Sequence, residues 1–206
     1  MRSFLRDNGL TVVLGLLFFL SLSGMIATGL ASYNDELVRH HQPILSLGNY
    51  LLSGQFLSAL FENWESEFLQ MGVYVVLTAW LFQRGSAESK DPDEPDEDEK
   101  QPAWKMPSFL YSHSLGLVLF TLFLLSFLLH WIGSVRASTQ EALMHGERTT
   151  DYCPYFLNSE LWFESFQNWQ SEFLSTAVLV VLSIFLREKG SPESKPVRAS
   201  NRQTGD

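Results

Sequence analysis

The chain has 206 residues, of which 46% are hydrophobic, and a formal net charge of −9. No basic patch offers itself to nucleic acid, so no nucleic-acid partner is expected. The single cysteine, Cys153, excludes an intrachain disulfide framework.

Charge and apolarity are unevenly placed. No charged residue occurs from Asn8 to Asn34 or from Met106 to Val135, and uncharged apolar runs of this length are read as membrane-spanning helices. Seven acids crowd into Asp91–Glu99, so the rest of the chain carries −2, the −9 less the −7 of that run.

The first uncharged run, preceded by Arg2 and Arg6 and ending in small residues around Gly29 and Ala31, has the outline of a secretory signal. An internal repeat argues that it is retained. Phe61-Glu62-Asn63-Trp64-Glu65-Ser66-Glu67-Phe68-Leu69 returns as Phe166-Gln167-Asn168-Trp169-Gln170-Ser171-Glu172-Phe173-Leu174, at an offset of 105. The same offset aligns Ser3-Phe4-Leu5 with Ser108-Phe109-Leu110, and Gly85-Ser86-Ala87-Glu88-Ser89-Lys90 with Gly190-Ser191-Pro192-Glu193-Ser194-Lys195. Residues 3–90 and 108–195 therefore read as two copies of one unit. The counterpart of the first segment lies mid-chain, where no signal peptide can be.

After the first span, Ser32–Leu52 is polar and interrupted by Pro43 and Gly48. A second helix is expected from Ser53, whose hydroxyl can cap the first turn; its counterpart Asn158 is another good N-cap. No breaker follows until Gly85, so the helix is predicted to run roughly 45 Å. Its uncharged part is shorter, Phe68–Gln83 and Phe173–Leu186 in the two copies, which places Glu67 and Glu172 at one membrane boundary. The aromatic residues Phe61, Trp64, Phe166 and Trp169 suit the same level as interface anchors. Residues 91–107 read as an acidic, disordered linker and 196–206 as a disordered tail.

These elements predict an all-α membrane protein of four spans, at about 9–31, 61–83, 109–133 and 166–186. The spans form two tandem two-helix repeats, 1–90 and 108–195, related by a pseudo-two-fold axis along the membrane normal. Eleven Lys and Arg lie on the side of the two termini and the linker, against Arg39, Arg136 and Arg148 on the other. That imbalance puts both termini in the cytoplasm.

Two groups of residues could carry chemistry. Asn63, Glu67 and Gln70 share one helical face, and Asn168, Glu172 and Ser175 the matching face in the second copy. They form either an interhelical hydrogen-bonding stripe or a cation- or proton-handling pair built on Glu67 and Glu172. Glu36 with His40, and Glu141 with His145, are each four apart and match at the same offset, a spacing that could offer carboxylate and imidazole to a divalent metal. A solvated surface pair is the simpler reading.

The repeated Gly-Ser-x-Glu-Ser-Lys is expected to stop a helix. There is no Gly-x-Ser-x-Gly, His-Glu-x-x-His or Cys-x-x-Cys, so nothing requires an enzyme and no cofactor is expected.

The opening Ser3-Phe4-Leu5-Arg6-Asp7-Asn8-Gly9-Leu10, the segment Phe61–Gln70 and the run Gly85–Pro95 resemble a family of small bacterial multi-pass membrane proteins classed as a domain of unknown function. The resemblance implies a bacterial inner-membrane protein and supplies no activity. The reading is a non-enzymatic membrane protein acting through helix packing or partners, the lipid bilayer first among them. A small ion, solute or proton carrier is the alternative; four helices make a thin wall, so it would need a homo-oligomer. A metal-dependent membrane enzyme is the third.

Overall fold

The computed structural model describes residues 2–94, 108–149 and 151–205; positions 95–107 of the expected linker lie outside them. Every regular element described is an α-helix. In chain order these are α1 (Arg2–Arg39), α2 (Leu47–Leu51), α3 (Gly54–Trp80), α4 (Phe109–Ser112), α5 (Ser114–Met144), α6 (Tyr152–Tyr155) and α7 (Ser159–Phe185). Among the described residues two helices are long and apolar enough to cross a membrane, Phe4–Arg39 and Ser114–Met144.

Local chemistry accounts for where the helices begin and end. Ser53 Oγ accepts the Phe56 N–H at 3.2 Å and opens α3; Asn158 Oδ1 accepts the Glu160 N–H at 3.0 Å and opens α7. Both satisfy backbone donors that the first turn leaves free. α1 is interrupted at Asn8 (φ −130°, ψ 17°), whose side-chain amide donates to the Phe4 carbonyl. A similar break at His113 (φ −115°, ψ 11°), whose Nδ1 meets the Phe109 carbonyl at 3.0 Å, separates α4 from α5.

α1 and α5 close with the same C-cap. The Gln42 N–H reaches back to the Leu37 carbonyl and the Glu147 N–H to the Ala142 carbonyl, each at 2.8 Å. The residue that turns the chain is left-handed in both, His41 at φ 57° and Gly146 at φ 71°, as this cap requires. α3 and α7 stop at Trp80 and Phe185, earlier than a run to Gly85 would predict. The reason lies in the next loops, where Ser89 Oγ takes the Gln83 N–H and Ser194 Oγ the Glu188 N–H, each at 2.8 Å.

The chain divides into two compact units, and α3 and α5 contribute to both. The first comprises Met1–Leu60 and His130–Phe156. Its core is Tyr33, Leu37, Tyr50 and Phe56, packed round by Met25, Ile26, Leu30 and Leu60. The Asn34 side chain pins the segment before α2, donating to the Leu45 carbonyl and accepting its N–H. α3 and α5 approach closely here: a Cβ on Gly133 would overlap the Ser58 backbone, and one on Gly54 the Ala137 backbone. Ser58 and Ser134 share a hydrogen bond of 2.7 Å at the same contact.

The second unit comprises Phe61–Leu129 and Leu157–Asp206. Gly72 of α3 packs on Leu119 and Phe120 of α5. An aromatic run, Phe123, Phe127, Trp162, Phe166 and Trp169, joins α5 to α7 through ring pairs at 5.3–6.4 Å.

The C-terminal segment, expected from its composition to be a disordered tail, makes specific bonds within this unit. The Gly205 N–H donates to the Ser86 carbonyl, Thr204 Oγ1 accepts the Gly85 N–H, and Arg187 donates to the Ala199 carbonyl and the Asn201 side chain.

Candidate functional site

Where α3 and α7 face one another in the second unit, the contact is polar. Glu65 has no accessible surface and accepts a hydrogen bond of 2.7 Å from Ser165 Oγ. One turn earlier the Asn168 amide donates both to the Glu62 carboxylate and to the Glu164 backbone carbonyl. Glu62 and Glu164 bring carboxylate oxygens within 4.8 Å of each other. Further along, Gln70 Nε2 donates to Thr176 Oγ1 at 2.6 Å. The seam thus holds three carboxylates, of which Glu65 and Glu62 each accept from a neutral side chain of the opposite helix.

The residues singled out in the sequence are only partly brought together. Gln70 and Asn168 lie in the seam. Asn63 is exposed, and its backbone carbonyl accepts from Ser66 Oγ. Ser175 is exposed and donates to the Glu172 carbonyl. Glu67 is exposed and Glu172 half-buried, close enough for their charges to repel. Of the anchors, Phe61 and Trp64 stack edge to face at 5.3 Å, as do Phe166 and Trp169. Trp169 turns its indole N–H into the protein, where no acceptor meets it among the described residues.

The buried carboxylate, Glu65, is one that helical periodicity alone does not single out. A usable signal existed: Gly54 and Ser58, four apart, are small residues on the same face of α3 as Glu65, and small residues mark close helix approach.

Glu36, His40, Glu141 and His145 all lie in the first unit and are exposed. His40 and His145 meet edge to face, with ring centres 5.3 Å apart. The four do not bring three ligand atoms within 4.8 Å of one another.

The two Gly-Ser-x-Glu-Ser-Lys loops have one geometry. Gly85 and Gly190 take φ of 85° and 88°, and Ser86 and Ser191 each accept the N–H two residues on at 3.1 Å. They differ at the last residue. Lys90 is exposed, whereas Lys195 is 1% exposed and its ammonium donates to the carbonyls of Gly85, Ser200, Asn201 and Gln203. Beside the first loop, Arg84 makes a two-pronged ion pair with Asp93 at 2.7 and 3.1 Å. The guanidinium's hydrogen bonds, and then its charge, hold the Asp93 carboxyl below its usual range.

The fold and the seam define an all-helical protein with two helices long and apolar enough to cross a membrane. The chain belongs to the family DUF6766, a domain of unknown function, which it matches over residues 1–206. No curated protein and no solved structure matches it.

Proposed function

We propose that this is a multi-pass protein of the bacterial inner membrane, with α1, α3, α5 and α7 as four spans, both termini in the cytoplasm, and a non-enzymatic role carried by helix packing or partner binding. The observation that carries this reading is the apolar exterior of α3 and α7. Past Glu67 and Glu172, Val76, Leu77 and Trp80 are exposed on one helix, and Phe173, Leu174 and Phe185 on the other. Large contiguous apolar surface calls for a partner, and on helices joined to two apolar spans that partner is lipid.

The tandem repeat is supported by local devices that recur at the offset of 105: the breaks at Asn8 and His113, the caps at His41 and Gly146, and the turns at Gly85 and Gly190.

Single cysteines at Lys90 and Glu147, in a background lacking Cys153, test the four spans. With four spans, an impermeant thiol reagent added from outside labels Glu147→Cys and leaves Lys90→Cys untouched. With α1 and α5 as the only spans, the two results exchange and the proposal fails.

A second reading, a small cation or proton carrier, is favoured by the burial of Glu65. Ionisable groups inside a helix bundle at membrane depth are costly and tend to serve a pathway. On this reading the carboxylates are Glu65, Glu62 and Glu164, in place of the exposed Glu67 and its partner Glu172. If vesicles carrying the protein conduct protons and Glu65→Gln leaves that flux unchanged, the carrier reading is wrong.

A further inference from the structure

The histidine pair of the first unit is not used by either reading. His40 follows the last residue of α1 and His145 follows the last residue of α5. Each donates its backbone N–H to the carbonyl of a glutamate four residues back, His40 to Glu36 at 3.1 Å and His145 to Glu141 at 3.2 Å. The Schellman-type caps just beyond fix both helix ends, so the two imidazoles are carried on rigid backbone rather than on loops. Their rings meet at 86° with centres 5.3 Å apart, and both are exposed.

We propose that His40 and His145 form a two-imidazole clip for a borderline transition-metal ion, Zn2+ or Cu2+, that ties the end of α1 to the end of α5. Two imidazoles ligating one tetrahedral ion at ~2.0–2.1 Å hold their ring centres about 5 Å apart. The observed separation already has that value. An ion can therefore enter by rotation of the two rings about their own side-chain bonds, with no movement of either helix.

Glu36 and Glu141 sit one turn earlier on the same helices and add negative charge near the ion, while water fills the remaining positions. Imidazole donors select Zn2+ and Cu2+ over Mg2+ and Ca2+, which prefer all-oxygen sites. The resulting link is structural: it joins two chain segments that are far apart in sequence, and binding to the folded state alone stabilises that state.

The test uses the full chain, purified in detergent with a tag free of histidine and stripped with a chelator. Titration with Zn2+ should give saturable binding of one ion per chain and a raised unfolding temperature. Cu2+ should give an electron paramagnetic resonance spectrum with two imidazole nitrogens. His40→Ala and His145→Ala should each abolish both, while His41→Gly and His113→Gln leave them intact; helical circular dichroism of the metal-free variants checks folding. If His145→Ala misfolds, His145→Asn, which keeps a polar side chain, takes its place.

Wild type without saturable binding would overturn the proposal and leave the pair as a packing contact. So would binding that survives loss of either histidine, or that is lost equally on His41→Gly. The clip rests on the four-span reading, because His40 and His145 share one side of a membrane only if α3 crosses between α1 and α5. Cysteine labelling at Lys90 and Glu147 reports the spans without metal, so the two failures are distinguishable.

Discussion

The Lys195 ammonium donates to the carbonyl of Gly85, 110 residues earlier in the chain, and in doing so closes a ring of four backbone carbonyls around a buried cation. Hydrogen bonds to a charged donor are worth more than neutral ones, and carbonyls left facing a removed cation lose their partner outright. Lys195→Met should weaken the docking of residues 196–205 by about 2–3 kcal/mol. The readout is faster hydrogen exchange and proteolysis in that segment. Lys90→Met, in the matching but exposed position, should have a much smaller effect. Equal effects at both would mean that the carbonyl ring does not hold the tail.

Close backbone approach makes a second test. At Gly133 and Gly54 an added methyl meets backbone rather than a flexible side chain, so the helices must part. Gly133→Ala should cost about 1–3 kcal/mol, as overpacking in a close-packed contact does. Gly15 and Gly24 have nothing near the site of a Cβ. Alanine there should be neutral or stabilising by roughly 0.5–1 kcal/mol, because helical glycine is entropically unfavourable. Thermal unfolding in detergent of the four variants decides it.

The Glu65–Ser165 bond gives a third. Ser165→Ala removes a donor from a carboxylate with no accessible surface and should cost about 1–3 kcal/mol. Glu65→Gln keeps an acceptor for Ser165 and sheds the buried charge, so it should cost less than Ser165→Ala or stabilise. A Glu65→Gln protein markedly less stable than Ser165→Ala would show that the charge itself is required for the packing.

Asp93 supplies a pH dependence. Its carboxyl is held below the ordinary value of 3.8 by Arg84, so the folded state binds this proton less tightly than the unfolded chain. The contribution of the pair is therefore present above pH 3.8 and is lost as pH falls through the lowered value. Both partners are exposed, so salt should screen the pair. Carboxyl titration followed by NMR should show the Asp93 midpoint rising toward 3.8 on Arg84→Gln or in about 1 M salt, where the Debye length is ~3 Å. An unmoved midpoint in both cases would rule out the ion pair as the cause.

Much of the helical framework was legible in the residues themselves. Ser53 and Asn158 open α3 and α7 as their side chains predict, because a cap is a bond between a side chain and a backbone N–H two or three residues away. The apolar runs that became α1 and α5 are legible for the same reason: hydropathy and length are sums over contiguous residues. The halt of α3 at Trp80 was not, since the Ser89 hydroxyl that takes the Gln83 N–H lies beyond the turn at Gly85.

The seam shows the limit more sharply. α3 carries polar residues on two adjacent faces, Asn63, Glu67 and Gln70 on one and Glu62 and Glu65 on the other. Periodicity treats both alike. What separates them is the small residues Gly54 and Ser58, which let the α5 backbone approach on the Glu65 side.

By itself, then, the sequence determined an all-helical chain, the position of its helix starts, two stretches fit for a membrane, and a motif written twice. Only the tertiary structure decided that Glu65 is buried while Glu67 is exposed, that Lys195 is enclosed while Lys90 is not, and that His40 meets His145. Capping, turning and hydropathy are set by neighbours along the chain. Burial and charge pairing depend on which distant segment arrives, and two copies of one motif meet different segments.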